Sequence, residues 1–275
     1  MDRPLTLGYS PCPNDTYIFA AWAEGLLPDA PAVQVVYEDI AVLNRMALNE
    51  ELDIVKASFH AMAYLRETYA LLRSGGALGR GCGPLVVTRE RIGARELNGK
   101  SIAVPGMRTT ALLLLRLFEP SLSDFIVMPF DQIMSAVRGG VVDAGLIIHE
   151  SRFTYPSYGL RQAVDLGEWW TGETGLPIPL GGIAMRRSLG QERRRLVEKT
   201  IRASLEHARR DEASIWETVR AHAQEMDNEV MRAHIELYVN EFSLDYGKEG
   251  ETAIRRLFEE AERRGVVPPS SADIF

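Results

Sequence analysis

The sequence predicts an α/β protein of two similar lobes joined by two crossovers, with a helical C-terminal segment that completes the first lobe. Three observations carry that expectation. As far as Leu180, short β-branched runs alternate with helical runs, the pattern of βαβ units. Two landmarks recur at nearly one spacing: strand–turn–helix junctions at Thr16 and Thr110 lie 94 residues apart, and strand-opening aspartates Asp53 and Asp143 lie 90 apart. From Ser188 to Gly265 the chain reads as almost continuously helical, rich in Ala, Glu, Arg and Leu, and Pro268-Pro269 close it.

The elements follow in order. Leu5–Tyr9 is an apolar strand running into the turn formers Ser10-Pro11-Cys12-Pro13-Asn14-Asp15, after which a helix is expected over 16–24, closed by Gly25. A strand at 33–37, a helix at 41–49, a strand at 53–59 and a helix at 61–67 complete the first unit. The plan then repeats, with a strand at 101–104, a turn at 105–109 and an apolar helix at 110–118. A strand at 125–129, a helix at 130–138 ended by Gly139-Gly140 and a strand at 143–149 follow. Strands separated in this way imply parallel sheets. Gly83–Thr88 and Leu180–Met185 read as the two crossovers, so residues 1–88 with 182–275 are expected to form the large lobe and 89–181 the small one. Two connections make a hinge, and the gap between lobes is a natural ligand site.

Composition narrows the function. Apolar residues make up 46% and charged residues 25%, globular values that exclude disorder, collagen-like repeats and a coiled coil. The net charge of −7 argues against nucleic acid as the main partner. The first residues lack a signal-peptide pattern, and apolar runs such as 111–115 are far shorter than the roughly 20 residues a bilayer span needs. Cys12 and Cys82 are the only cysteines, and two thiols in a reducing compartment fit better than one disulfide, so a cytoplasmic location is expected.

The cleft candidates come from the carboxyl ends of the strands, where ligands sit in open α/β sheets. In the first lobe these are Ser10, Asn14, Asp15, Thr16 and Ser58; in the second, Arg108, Thr109, Thr110 and His149. A helix N-terminus offers free N–H groups and partial positive charge, so Arg108-Thr109-Thr110 suits a carboxylate, although simple capping accounts for the same threonines. His149 ends an apolar strand where a side chain is delivered to the cleft, as a general base or as a hydrogen-bonded structural histidine. His60 reads as the edge of a core, and His207, His222 and His234 as solvated helix faces. Cys12 sits at a helix N-terminus with no identifiable base. The aromatic segment 152–159 reads as a lid or a packed surface loop, and Trp169-Trp170 as core or lobe interface. No zinc spacing, Walker loop, dinucleotide-binding glycine motif or nucleophile elbow is present.

Four blocks together resemble the 1,4-dihydroxy-6-naphthoate synthases, lyases of the futalosine route to menaquinone. They are Ser-Pro-Cys-Pro-Asn-Asp-Thr at 10–16, Ser-Gly-Gly-Ala-Leu-Gly at 74–79, Gly-Pro-Leu-Val-Val at 83–87 and Gly-Leu-Ile-Ile-His-Glu-Ser-Arg-Phe-Thr-Tyr-Pro at 145–156. The resemblance runs over essentially the whole chain. It implies a two-lobed fold like type II periplasmic binding proteins. It also implies conversion of cyclic dehypoxanthine futalosine to 1,4-dihydroxy-6-naphthoate with release of a small sugar-derived fragment. His149 is by resemblance the general base. Asn44, Ser58, Thr109 and Thr110 are by resemblance contacts to an aromatic carboxylate, with Arg108 and Ile148 beside them. No metal or organic cofactor is implied. The alternatives are a related carboxylate-substrate lyase of the chorismate dehydratase type and a non-catalytic small-molecule binding protein.

Overall fold

The computed structural model describes residues 3–223 and 227–275; Met1 and Asp2, ahead of the first strand, and 224–226, inside the expected helical run, lie outside them. Among the described residues the strands are Leu5–Tyr9 (β1), Val33–Tyr37 (β2), Ile54–Ser58 (β3), Tyr69–Leu71 (β4), Ala77–Gly79 (β5), Leu85–Thr88 (β6), Ile102–Val104 (β7), Phe125–Val127 (β8), Ala144–Ile147 (β9), Arg161–Asp165 (β10) and Ile178–Arg186 (β11). They form two sheets. One runs β2-β1-β3-β11-β4, with β5 also paired to β11, and the other runs β10-β6-β9-β7-β8.

The repeat read from the sequence is a repeat of topology. β1 lies parallel to β2 and β3, and β7 lies parallel to β8 and β9. The two aspartates explain the spacing. Asp53 accepts from Thr6 N (2.9 Å) while its own N–H donates to Thr6 Oγ1 (2.8 Å). Asp143 accepts from Ser101 N (3.0 Å) and donates to Ser101 Oγ (3.1 Å). Each aspartate therefore locks the start of one inner strand to the start of its neighbour.

The crossovers depart from the expectation of purely parallel sheets. β11 is antiparallel to β3, β4 and β5, and β6 is antiparallel to β9 and β10. Each crossover strand is thus an inner strand of the sheet it enters. This moves the first boundary: Leu85–Thr88, expected in the large lobe, is hydrogen-bonded within the second sheet, and the chain changes sheets before Leu85. At that point the backbone of Gly83 lies against Gly167, where an added Cβ would fall 2.3 Å from the Gly167 nitrogen. Only glycine allows the approach.

The helices are Pro13–Ala23 (α1), Ile40–Leu48 (α2), Phe59–Leu65 (α3), Thr110–Phe118 (α4), Phe130–Arg138 (α5), Ser151–Thr154 (α6), Leu166–Thr174 (α7), Gln191–Arg210 (α8), Ala213–His222 (α9), Asn228–Tyr238 (α10), Glu241–Leu244 (α11) and Gly247–Arg263 (α12). α1 begins at Pro13 rather than Thr16, because proline is favoured at the first helical position; Asn14 and Asp15 are therefore in its first turn. It is buried nearly throughout, beneath α8, α9 and α10. The helical segment covers the first lobe because an all-buried helix needs a partner on every side. α4 is apolar all round and is likewise buried, at the seam where α3, α7, α12 and β11 meet it. The aromatic run after His149 folds as α6 and a 3₁₀ turn over Tyr155–Tyr158, and Trp170 is core. Among the described residues no helix is long and apolar enough to cross a membrane.

Candidate active site

A cavity opens where the strand ends of the two sheets face each other, lined by residues of both lobes. The first sheet supplies Ser10, Lys56 and Ser58, and α1 supplies Asn14 and Asp15. The second sheet supplies Ile148 and His149, and the first turn of α4 supplies Thr109, Thr110 and Ala111. Ile40, Ala77, Pro84, Leu180 and Tyr238 make the remaining wall largely apolar.

Of the residues singled out from the sequence, Ser10, Asn14, Asp15, Ser58, Thr109, Thr110, Ile148 and His149 line this cavity, and Thr16 does not. Nor does Asn44. Its buried amide Nδ2 donates to Ser58 Oγ (3.0 Å) and to the Arg108 carbonyl (3.3 Å), while its Oδ1 accepts from Ser58 N (2.9 Å). Asn44 therefore orients Ser58 from behind. Arg108 also lies outside the lining. Its guanidinium stacks on the Tyr64 ring at 3.8 Å, so the cation expected at the helix end is spent on an aromatic face.

The threonines are already engaged through their hydroxyls. Thr109 Oγ1 donates to the Gly106 carbonyl (2.8 Å) and accepts from Leu112 N (3.3 Å) as the cap of α4. Thr110 Oγ1 donates to the Leu180 carbonyl and accepts from Phe59 N (2.8 Å), which ties α4 to β11 and to the start of α3. Helix geometry leaves the Thr110 and Ala111 N–H groups without intrahelical acceptors. No acidic side chain lies in that first turn. An anion at this end of the cavity meets backbone donors, a helix dipole and the Ser58 hydroxyl.

A second group of side chains is titratable. His149 follows β9 in the left-handed region (φ +56°), a conformation costing about 1–2 kcal/mol for a non-glycine residue. Such strain is retained where the surroundings fix a side chain, here by Phe130 (ring centroids 5.1 Å apart) and by Cys12, whose Sγ is 3.4 Å from His149 Nδ1. Burial, and then the Glu150 charge, push the Cys12 thiol well above its ordinary pKa, so it rests as a neutral thiol rather than a thiolate. Cys12, His149 and Glu150 each bring one potential metal-ligating atom within 4.8 Å of the others. The protonated thiol weakens them as a metal site.

Lys56 and His234 were not anticipated at the cavity. Lys56, 4% exposed, donates to Asp15 Oδ1 (2.7 Å), and Ser10 Oγ donates to Asp15 Oδ2 (2.7 Å). Its signal was present: in Ile-Val-Lys-Ala-Ser, Lys56 and Ser58 alternate onto one face of an otherwise apolar strand. His234, expected on a solvated face, is 1% exposed and lines the cavity. Its ring lies nearly parallel to that of His149, 6.2 Å away. Met231, His234, Ile235 and Tyr238 recur at helical spacing on the buried face of α10, which the dense surrounding charge obscured. His60 is a buried structural residue whose Nδ1 lies 3.2 Å from the Thr109 carbonyl, and burial lowers its pKa to about 4.

Two lobes that enclose a small cavity, with anion donors in one part and an imidazole in another, define an enzyme built on the binding-protein architecture. The fold agrees. The periplasmic aliphatic sulphonate binding protein of Escherichia coli superposes with a TM-score of 0.67 at 13% identity, covering 100% of this chain and 91% of that one. A protein from Archaeoglobus fulgidus does so at 0.91 and 36% identity, covering 96% and 98%. Residues 5–263 match the model of a family described as menaquinone biosynthesis, and the chain belongs to that family. Relatives called 1,4-dihydroxy-6-naphtoate synthase are 50% identical in Thermus thermophilus (98% of both chains) and 49% identical in Streptomyces coelicolor (98% of this chain, 96% of the relative).

Proposed function

We propose that this enzyme of menaquinone biosynthesis is a lyase that converts cyclic dehypoxanthine futalosine to 1,4-dihydroxy-6-naphthoate and a small sugar-derived fragment. The observation that carries the reading is the pairing, within one cavity, of an unfilled helix N-terminus and a strained imidazole. The substrate carboxylate sits at the Thr110 and Ala111 amides and the Ser58 hydroxyl. Its ring system lies along the apolar wall. His149 acts on the sugar-derived part.

The chemistry asks little beyond this. Carbon–carbon cleavage is driven by formation of an aromatic naphthalenediol, so the protein must hold the substrate, remove a proton and exclude water. In the tautomer that serves as base, His149 keeps its Nδ1 proton toward Cys12 Sγ and presents the Nε2 lone pair. A positioned base of this kind contributes about 10²–10⁴-fold. The reaction needs no metal or organic cofactor. Lobe opening about the two crossovers admits the substrate and closure shields it from water, and the two buried free thiols suit a reducing cytoplasm.

Incubation of the purified protein with the cyclic futalosine derivative, and separately with chorismate, tests the reading. Formation of 1,4-dihydroxy-6-naphthoate from the first and no change in the second is expected. Consumption of chorismate, or binding of the cyclic compound without turnover, would overturn it.

A further inference from the structure

Glu150, next in sequence to His149, is 7% exposed, and its Oε2 is a buried atom with no hydrogen-bond partner. A buried carboxylate is expensive unless a positive charge offsets it. Arg152, two residues on, is committed to Asp165 at 2.6 Å, and Lys56 is committed to Asp15 at 2.7 Å. His234 Nδ1, likewise unpartnered, lies 3.7 Å from Glu150 Oε2.

The hydrogen-bond chain fixes a proton on Nε2 of His234. Asp15, a carboxylate, only accepts, so Asn14 Nδ2 donates to it (2.9 Å) and Asn14 Oδ1 must accept from His234 Nε2 (2.9 Å). Neutral His234 therefore turns a bare Nδ1 lone pair toward Glu150. Burial, with the nearby His149 and Lys56, holds its pKa well below the ordinary value. His234 supplies no charge to Glu150. His149 is the other group available, since a potential ligating atom of its ring lies within 4.8 Å of one on Glu150.

We propose that Glu150 is a positioning residue for the base: its buried carboxylate is the counter-charge of the imidazolium that forms when His149 takes the substrate proton. The resting site carries an unbalanced negative charge, which proton transfer to His149 neutralises. The other titratable groups around the pair are Cys12 and Asp15 on α1, Lys56 on β3, His234 and Tyr238 on α10, and Arg152 on α6. Cys12 and Tyr238 are held protonated by burial, and Asp15, Lys56 and Arg152 are in ion pairs.

The inference rests on the lyase reading and is tested by Glu150→Gln, which keeps the shape and removes the charge. At full-chain level kcat should fall about 10- to 100-fold, KM should stay within threefold, and the acidic limb of the kcat/KM profile should move down by about one pH unit or more. Glu150→Asp should restore the limb. An unmoved limb in Glu150→Gln, or a loss of rate that Glu150→Asp does not repair, overturns the proposal. Should Glu150→Gln not fold, ¹⁵N-histidine spectra of the wild-type chain decide, with His149 assigned by its loss in His149→Ala. A His149 ring titrating above about 6.5 supports the counter-charge, and one at or below it contradicts it. Those spectra read the proposal even if the cyclic substrate is not turned over, in which case only the lyase reading fails.

Discussion

The two lobes bring the same junction to the cavity and fill it with opposite chemistry. In the first lobe, β1 leads into α1, whose first turn carries Asp15, already paired with Lys56. In the second, β7 leads to α4, whose first turn carries no acid and is capped by Thr109. One helix end is filled from within the protein, and the other carries no acid of its own. The strand ends differ in the same way. β3 passes through Ser58 in ordinary extended geometry (φ −65°) into α3, whereas β9 delivers His149 at φ +56°. The repeated frame is polarised, and the polarity lies in side chains and local backbone rather than in topology.

That contrast can be broken at several points. The largest effect is expected at the filled helix end. Lys56→Met leaves Asp15 buried without its cation, and the unfolding free energy from urea titration should drop by about 3–5 kcal/mol. An unchanged stability would mean that α1's end is not filled as described.

Next comes the pair of histidines that follow the two strands. His60 titrates near 4 in the folded protein, against about 6.5 for an unperturbed imidazole. Between those values the unfolded chain binds a proton that the folded chain refuses. Stability should therefore fall as pH drops from 6.5 to 4, by on the order of 3 kcal/mol from this residue, and level off below. Urea melts across that range should show the loss, and a His60→Asn variant should show a shallower slope.

Smaller effects sharpen the acid-free end. Ser58→Ala removes one hydroxyl from the anion site, so the affinity for 1,4-dihydroxy-6-naphthoate measured by calorimetry should weaken about 10- to 100-fold, the worth of one hydrogen bond to a charged group. Arg108→Met should change that affinity by less than about threefold, because its guanidinium is held on Tyr64 and away from the cavity. A tenfold loss at Arg108 would return the carboxylate to the guanidinium.

Much of this arrangement was legible in the sequence, and the rest was hidden for identifiable reasons. The repeat was readable because Asp53 and Asp143 each close the same reciprocal hydrogen bonds at a strand start, a local constraint that leaves a residue type at a fixed spacing. Helix α4 was readable to the residue, from an apolar run behind a threonine cap. The antiparallel course of β6 and β11 was not, since a strand's direction is set by where the chain returns and leaves no periodicity behind. His149 was marked by its place at the end of an apolar strand. His234 was not, because its partners Asn14 and Glu150 are 220 and 84 residues away. The seat of Arg108 on the Tyr64 ring, outside the cavity lining, was hidden for a related reason: the aromatic partner lies far away in sequence.

The most direct test of the polarised cavity is turnover of cyclic dehypoxanthine futalosine by His149→Ala, with 1,4-dihydroxy-6-naphthoate affinity measured on the same protein. The account predicts a loss of kcat of about 10²-fold or more with product affinity within threefold of wild type. Wild-type turnover without the imidazole would contradict it.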